Sequence, residues 1–311
     1  MKHVFITGCP RSGTTMLANL IGSNRECKAS PESDFFIDFV YKYLSKESSK
    51  VTRLDYIDYL NNNYRFKQWG IEANKIPLLP ELIRYSNFNV VIEKTLEYFK
   101  NQDLNPGSIE FIRIDHTPSS LKYFDILNDF FPESKFIFII RDPRAVFASV
   151  RNLDWGANSA MKLSDIWNDY VVLFFSFQKL YSNRICLVRF EDLINESSSQ
   201  LQILCDFIGI KYCESMLKEE GFNIPSYTAS QHALVGKELD KSRITGWKDE
   251  LKEEDILIIE SQCRNTMRAF NYPVTKFKKY RTGIKNRMKM LFIESFFYYR
   301  NKLRKKIREK Y

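Results

Sequence analysis

The chain has 311 residues, of which 44% are hydrophobic and 15% aromatic, and its net charge is +9. This composition excludes an intrinsically disordered protein and predicts one large domain, or two, because the chain is long enough to bury a full core. The six cysteines form no C-x-x-C pair and no histidine cluster accompanies them, so we expect no metal site.

The first residues predict a β-strand, a glycine loop and a helix. Residues 3–7 are apolar and β-branched and stop at Gly8, and apolar residues at helical spacing follow from Thr14. Glycines at positions 8 and 13 let the loop backbone approach an anion, and a helix N-terminus adds partial positive charge. The residues expected to bind phosphate here are Pro10, Arg11, Ser12, Gly13, Thr14 and Thr15.

The loop departs from the nucleotide-triphosphate version at one position. The spacing from Gly8 to Gly13 is that of the P-loop, G-x-x-x-x-G-K-[ST], but Thr14 stands where a P-loop NTPase has lysine. A triphosphate would lack its main cation, although Arg11 supplies charge and the threonine hydroxyls donate hydrogen bonds. The loop therefore predicts a nucleotide whose 5′ group is not a triphosphate.

The segment C-P-R-S-G-T-T, residues 9–15, resembles the 5′-phosphosulfate loop of sulfotransferases that use 3′-phosphoadenosine 5′-phosphosulfate (PAPS). The resemblance implies PAPS as sulfuryl donor, 3′-phosphoadenosine 5′-phosphate (PAP) as product, and no metal. It also implies that Arg11 meets the charge of the transferring group. The alternatives are a nucleotide or sugar kinase with a degenerate loop and a non-catalytic nucleotide- or nucleic-acid-binding module.

Strands and helices alternate along the rest of the chain. Residues 109–115, 135–140 and 185–190 predict strands, and residues 121–131, 145–150, 163–182 and 199–208 predict helices. This order predicts an α/β fold in three layers, with a parallel sheet and a P-loop-type phosphate-binding loop. Ligands bind at the carboxyl ends of such strands. Residues 27–36 predict a loop that runs into a helix, and residues 41–108 predict a helical insertion that carries acceptor specificity or is a solvated cap.

The segment R-D-P-R-A-V-F-A-S, Arg141 to Ser149, follows the most apolar strand. It resembles the segment of sulfotransferases in which an arginine at a strand end and a serine eight residues later bind the 3′-phosphate. A planar guanidinium and a hydroxyl suit phosphate recognition. Taken alone, either residue would favour a structural role, but with the first loop present and a buried strand before this segment, phosphate binding is the preferred interpretation.

Two later segments extend the resemblance. In R-F-E-D-L, residues 189–193, Phe190 is expected to flank the adenine or to be a core aromatic. The segment S-R-I-T-G-W-K, residues 242–248, resembles the basic loop that closes over the 3′-phosphate. Its candidate contacts, which a solvated loop would also explain, are Lys237, Lys241 and Arg243.

The catalytic base is predicted from the segment P-E-S-D-F-F, residues 31–36. It resembles a pattern of protein-tyrosine and bacterial glycan sulfotransferases in which the glutamate is the acceptor base, here Glu32. Asp34 is the alternative, and a capping carboxylate is the structural interpretation. His116 stands where relatives have a lysine, so it acts either as a proton donor to the leaving phosphate or as the base.

The positive charge is concentrated at the C-terminus. Residues 276–311 contain 14 basic and 2 acidic residues, a net charge of +12, so the rest of the chain carries −3. Apolar residues recur there at helical spacing, which predicts a basic amphipathic helix on an anionic membrane or packed on the domain, with nucleic acid less expected.

We therefore divide the chain into a sulfotransferase domain, 1–275, and a basic tail, 276–311. No segment predicts a signal peptide or a transmembrane helix, so we expect a cytoplasmic protein, peripheral to the membrane through its tail. The acceptor is expected to be a hydroxyl on a glycan or glycolipid, with tyrosine or a small phenol as the alternative.

Overall fold

The computed structural model describes residues 2–45, 50–77, 81–100, 111–218, 240–274 and 284–308. Lys237, proposed above as a phosphate contact, and the first residues of the basic tail lie outside this described part. None of the helices in the described residues is both long and apolar enough to cross a bilayer.

Strands within the described residues form one larger sheet and one two-stranded hairpin. They are β1 (His3–Thr7), β2 (Cys27–Ser30), β3 (Val51–Thr52), β4 (Leu82–Ile83), β5 (Ile112–Asp115), β6 (Lys135–Ile140) and β7 (Ile185–Arg189). The larger sheet has the strand order β2-β5-β1-β6-β7, and β5 pairs in parallel with both β1 and β2. Helices separate these strands along the chain, so the predicted α/β fold with a parallel sheet is confirmed.

The helices follow the predicted periodicity in most places. They are α1 (Thr14–Gly22), α2 (Asp34–Phe39), α3 (Arg53–Asn62), α4 (Tyr64–Lys67), α5 (Phe88–Lys100), α6 (Phe124–Phe130), α7 (Pro143–Val150), α8 (Ala160–Leu180), α9 (Phe190–Asn195), α10 (Ser197–Ile208), α11 (Ser242–Thr245), α12 (Trp247–Glu250), α13 (Glu253–Gln262), α14 (Arg264–Ala269) and α15 (Ile284–Arg308). The last of these confirms a helix in the basic tail.

The chain divides into two compact units. Unit 1 comprises Met1–Thr7, Thr14–Ile137 and Leu201–Lys237, and unit 2 comprises Gly8–Gly13, Phe138–Gln200 and Glu238–Tyr311. The glycine loop therefore belongs to the same unit as the two segments predicted to bind the 3′-phosphate. The candidate base and His116 belong to unit 1.

One strand was predicted as loop. Cys27–Ser30 forms β2, whose residues pair in register with β5, Cys27 with Ile112 and Ser30 with Asp115. The sequence C-K-A-S carries no β-branched or aromatic residue and is only four residues long, so its strand conformation depends on pairing with β5 rather than on local preference.

The segment predicted as a helical insertion shares an aromatic core with α2. The Phe39 ring centroid lies 4.8 Å from that of Tyr56 in α3 and 5.2 Å from that of Phe88 in α5. Phe35 likewise contacts Phe66 in α4 at 5.6 Å. All five side chains are buried, so these helices are an integral part of the core of unit 1.

Candidate active site

The loop after β1 has a backbone that requires glycine at both ends. Gly8 has a φ of +152° and Gly13 a φ of +105°, values that side-chain-bearing residues rarely adopt. A Cβ on Gly8 would collide with the Ile139 carbonyl oxygen, and one on Gly13 would lie 2.8 Å from the Phe190 ring. Arg11 also has a positive φ, +74°, which is uncommon for a non-glycine residue and is typical of functional sites.

Arg141 joins three parts of unit 2. It follows β6 directly and is 9% exposed. Its Nη1 donates to the Arg11 carbonyl at 3.1 Å and its Nη2 donates to the Arg243 carbonyl at 2.8 Å. The guanidinium also lies 4.3 Å from the Phe190 ring centroid. The sequence segments that contain these residues therefore lie in contact with one another in unit 2.

We call Arg11, Arg141 and Arg243 the arginine cluster. Ser149 contacts this cluster through Arg11. Arg11 Nε donates to Ser149 Oγ at 3.0 Å. Lys241 is exposed at the start of α11, and none of the described contacts joins its side chain to the cluster.

The arginine cluster is electrostatically suited to an anion. Burial lowers the pKa of Arg141 to about 10; the charges of Glu191 and Asp142 oppose this shift, and those of Arg11 and Arg243 add to it. Among the described residues, Arg141 Nε and the buried Ser12 hydroxyl have no hydrogen-bond partner. Buried polar groups are normally satisfied, so a bound phosphate would supply acceptors that these donors lack.

A buried acidic network, which the sequence did not predict, holds the segment after β6. Glu191 Oε1 accepts from the Asp142 backbone N–H at 2.9 Å, and its Oε2 accepts from the Tyr272 hydroxyl at 2.8 Å. Arg144 forms ion pairs of 2.6 Å with Asp142 and Glu260. These contacts fix the start of α7, the helix that carries Ser149.

The candidate base lies in a second group of polar residues, in unit 1. Arg65, from α4, forms an ion pair with Glu32 at 2.7 Å and a longer one with Asp34 at 3.4 Å. The Glu32 carbonyl accepts from the Trp69 indole N–H at 3.1 Å. Arg65 was not predicted, because it lies in the segment interpreted as an insertion and no motif marks it.

The loop that contains Glu32 is bound to the loop after β5. The Ser33 N–H donates to Thr117 Oγ1 at 2.9 Å, and the Ser33 hydroxyl donates to Asp115. The Thr117 N–H donates to Asp115 Oδ1 at 2.8 Å. His116, which stands between Asp115 and Thr117 in the sequence, is buried, and burial lowers the pKa of its imidazole. A neutral imidazole is a weaker proton donor than the imidazolium ion, which disfavours the acid role of His116.

Asp34 has a carboxyl that is harder to ionise than usual. Burial raises its pKa to about 6, Arg65 opposes this shift, and the carboxylates of Glu32, Asp38 and Asp115 add to it. A pKa near the working pH is what a general base requires, so Asp34 remains the alternative to Glu32.

We expect Asp34→Asn to stabilise the fold at neutral pH. The folded-state pKa of Asp34, about 6, lies above its ordinary value of 3.8, so ionisation of Asp34 destabilises the folded state. This penalty is absent below about pH 4, grows between pH 4 and 6, and reaches about 3 kcal/mol above pH 6. The melting temperature of the variant should exceed that of the wild type at pH 7.5 and match it at pH 4. A lower melting temperature at both pH values would contradict the raised pKa.

The comparisons with known proteins agree with this fold. The profile of the family described as "Sulfotransferase family" matches residues 3–214. The chain is 22% identical to a putative protein-tyrosine sulfotransferase of Caenorhabditis briggsae, over 81% of this chain and 83% of that protein. It is 23% identical to protein-tyrosine sulfotransferase 2 of Gallus gallus over 71% of this chain, and spans about half, 54%, of that relative.

Two solved structures share the fold. The sulfotransferase domain from the curacin biosynthetic pathway matches with a TM-score of 0.59 and 18% identity, over 87% of this chain and 98% of that one. The sulfotransferase domain from the Synechococcus PCC 7002 olefin synthase matches with a TM-score of 0.58 and 20% identity, over 84% and 94%. The strands and helices define an α/β fold with a parallel sheet. Because the family profile matches more than half of the chain, this protein belongs to the sulfotransferase family.

Proposed function

We propose that the protein transfers a sulfuryl group from PAPS to an acceptor hydroxyl. The observation that carries this proposal is the arginine cluster, in which buried Arg141 contacts both the Arg11 and the Arg243 backbone. PAPS carries phosphate at the 3′ position as well as phosphosulfate at the 5′ position, and a cluster drawn from three separate segments suits a ligand with two anionic groups. The kinase alternative is weaker because Thr14 replaces the P-loop lysine.

In this proposal Arg141 and Ser149 bind the 3′-phosphate, with Arg243 and Lys241 closing over it and Phe190 beside the adenine. The loop residues Pro10 to Thr15 hold the 5′-phosphosulfate. Arg11 stabilises the charge that develops on the bridging oxygen as the S–O bond to the 5′-phosphate breaks. Positioning and electrostatics supply most of the catalysis in such a transfer, so this donor site works without a metal.

Glu32 is the proposed general base. As the acceptor oxygen bonds to sulfur, its proton passes to the Glu32 carboxylate, and PAP leaves with the electrons of the broken bond. Arg65 lies 2.7 Å from this carboxylate and fixes its orientation. His116, buried and predominantly neutral, is proposed to help position the same loop and is the second candidate base.

We propose that the acceptor is a hydroxyl of a glycan or glycolipid. The direct test is to measure sulfuryl transfer from ³⁵S-labelled PAPS to glycan and lipid extracts. Label in a glycan or glycolipid fraction supports the proposal. Label in tyrosine moves the acceptor class to the one named for the two protein-tyrosine sulfotransferases, and label in a small phenol moves it to phenols. Transfer of the γ-phosphoryl group of ATP, with PAPS inert, would instead identify a kinase.

We also propose that α15 binds an anionic membrane. Glu294 accepts a hydrogen bond from Ser159, and Asn301 donates one to Asn158 at 3.1 Å. Glu294 and Asn301 are seven residues apart and so lie on one face of the helix, the face that contacts unit 2. The opposite face carries apolar side chains that are each at least 60% exposed: Met288, Phe292, Phe296, Tyr299 and Leu303.

This exposed apolar face is hard to reconcile with a helix that packs its apolar side on the domain. A basic helix with an exposed apolar face is typical of proteins that lie in the membrane interface. Each Lys or Arg near an anionic leaflet contributes about 1 kcal/mol to the free energy of membrane binding, and the cytoplasmic leaflet is the anionic one. We therefore propose that the protein lies at the cytoplasmic face of a membrane. In this proposal the sulfotransferase domain ends near residue 275 and the basic tail follows.

We expect the triple variant Phe292→Ser/Phe296→Ser/Leu303→Ser to lose co-sedimentation with anionic liposomes while its melting temperature stays unchanged, because all three side chains are exposed. The matched control is Val172→Ser/Leu180→Ser, which removes exposed apolar side chains from α8 and should leave liposome binding intact. A sharp fall in the melting temperature of the triple variant would place the helix in the core. Binding of the wild type to RNA but not to liposomes would support the nucleic-acid alternative.

A further inference from the structure

We infer that unit 1 contains an acceptor pocket whose inner end binds a carboxylate, through Arg113 and His3, so that the acceptor is a hydroxy acid. This inference rests on the proposed sulfuryl transfer and names the substrate class of the same site. It depends on a cavity, on two buried polar groups and on the spacing of residues along β5.

The cavity lies against one face of β1 and β5. It is partly open to solvent. His3 pairs in register with Arg113 and Phe5 with Asp115, and alternate residues of a strand share a face, so all four line the same side of the sheet. Helices α2, α5 and α6 supply the remaining walls.

The inner end of the pocket is polar and incompletely satisfied. Arg113 is 4% exposed and His3 is 5% exposed. Among the described residues, neither Arg113 Nη2 nor His3 Nε2 has a hydrogen-bond partner. The Arg113 guanidinium lies 5.3 Å from the Trp69 ring centroid, which offsets only part of the cost of burying it.

A buried guanidinium without a full set of partners favours an anionic ligand. Burial lowers the pKa of Arg113 to about 9 and that of His3 to about 3, so near pH 7 the first remains charged and the second is neutral. The charge of Asp115, two residues along the same strand, opposes part of the pKa shift of Arg113, but the Asp115 carboxylate accepts its hydrogen bonds from Ser33 and Thr117. An incoming carboxylate would accept hydrogen bonds from Arg113 Nη2 and from His3 when Nε2 carries the imidazole proton.

The mouth of the pocket has the opposite character. Ser33, Asp34 and Tyr123 are the partly exposed lining residues, and Asp115 lies beside Ser33. These lining residues carry oxygen atoms that can accept a hydrogen bond, and Arg65 lies behind Asp34 at 3.4 Å without lining the pocket, an arrangement that suits a hydroxyl that must lose its proton. The wall between the two ends is apolar and consists of Phe36, Ile37, Ile92, Leu96, Leu127 and Phe131.

The spacing along β5 gives the scale of the pocket. Arg113 and Asp115 are two residues apart on one strand, a separation of about 6.6 Å. A ligand whose carboxylate contacts Arg113 and whose reacting hydroxyl lies at the mouth, at Ser33 beside the proposed base Glu32, should span at least roughly this distance, across a compact body with an apolar face. A uronic acid residue of a glycan satisfies this requirement, and so does a short phenolic acid.

Two pairs of acceptors isolate the carboxylate. Methyl glucuronide is compared with methyl glucoside, and 3-(4-hydroxyphenyl)propionate with its amide, by kcat/KM for sulfation with PAPS. We expect the wild type to prefer the carboxylate on the order of 10- to 100-fold within the pair it accepts, the scale of a charge-assisted hydrogen bond. The pair that shows the preference distinguishes a glycan source from a phenolic one.

Arg113→Gln should bring the ratio within that pair close to one, mainly through KM for the acid. Arg53→Gln is the matched control, because Arg53 is exposed at the start of α3 and is not part of the pocket lining. If Arg113→Gln does not fold, Arg113→Lys should retain part of the preference. If the wild type sulfates the acid and its uncharged partner equally well in both pairs, the pocket assignment is overturned, whatever the variants do. Failure to bind PAP, or to transfer label from PAPS to any acceptor, counts instead against the proposed function.

Discussion

Glu32→Gln is expected to lower turnover by roughly 10²- to 10⁴-fold, the usual range for loss of a general base. The amide keeps the shape of the side chain and an oxygen that can accept from Arg65, which lies 2.7 Å from the carboxylate. The fold and the affinity for PAP should therefore be unchanged, and steady-state sulfation of the acceptor identified with labelled PAPS measures the loss. Because Arg65 also contacts Asp34, the loop should stay in place.

The controls for this prediction are Asp34→Asn and His116→Ala. Each removes another candidate proton acceptor from the same polar group, and neither should lower turnover as much as Glu32→Gln. If Asp34→Asn has the larger effect, the base is Asp34, whose raised pKa already suits that role. A Glu32→Gln enzyme with near wild-type turnover and an inactive His116→Ala enzyme would assign the base to His116.

Arg141→Ala should weaken PAP binding by at least about 10-fold, because hydrogen bonds to charged groups are worth about 1.5–3 kcal/mol. The loss has two sources. The variant removes a cation proposed to bind the 3′-phosphate, and it releases the Arg11 and Arg243 carbonyls that Arg141 holds at 3.1 and 2.8 Å. Isothermal titration calorimetry measures the affinity.

Two further variants separate charge from geometry at Arg141. Arg141→Lys keeps the charge without the planar fork and should have an intermediate affinity. Arg268→Ala removes an exposed arginine elsewhere in unit 2 and should bind PAP like the wild type. A folded Arg141→Ala protein with unchanged affinity would remove the 3′-phosphate assignment.

Much of the fold could be predicted from local sequence. β1 and β6 are continuous apolar runs bounded by Gly8 and Arg141, and their predicted bounds agree with the structure. The glycine loop was recognisable because a positive φ at two positions and a close backbone approach leave only glycine as an option. Strand β2 was missed because its residues have no strand preference of their own and depend on pairing with β5.

The site was less predictable than the fold. Motifs predicted roles for Arg11, Arg141 and Ser149, and in unit 2 the Arg11 side chain donates to Ser149 while Arg141 donates to the Arg11 carbonyl. Arg65, Glu191 and Arg113 were not found, because each acts through residues distant in sequence. The sequence of a strand does not tell whether a buried arginine faces a cavity or an ion-pair partner. For Arg113, the face of the sheet on which it lies follows from the register of β5 with β1.

The nucleotide preference of the wild-type protein, measured by calorimetry with PAP, 5′-AMP and ATP-Mg, tests directly whether the protein has a site for the 3′-phosphate. The 3′-phosphate is the feature that the arginine cluster is proposed to recognise. We expect PAP to bind at least about 10-fold more tightly than 5′-AMP, the scale of one charge-assisted hydrogen bond, and more tightly than ATP-Mg. Equal affinity for PAP and 5′-AMP, or tighter binding of ATP-Mg, would contradict the proposed 3′-phosphate site.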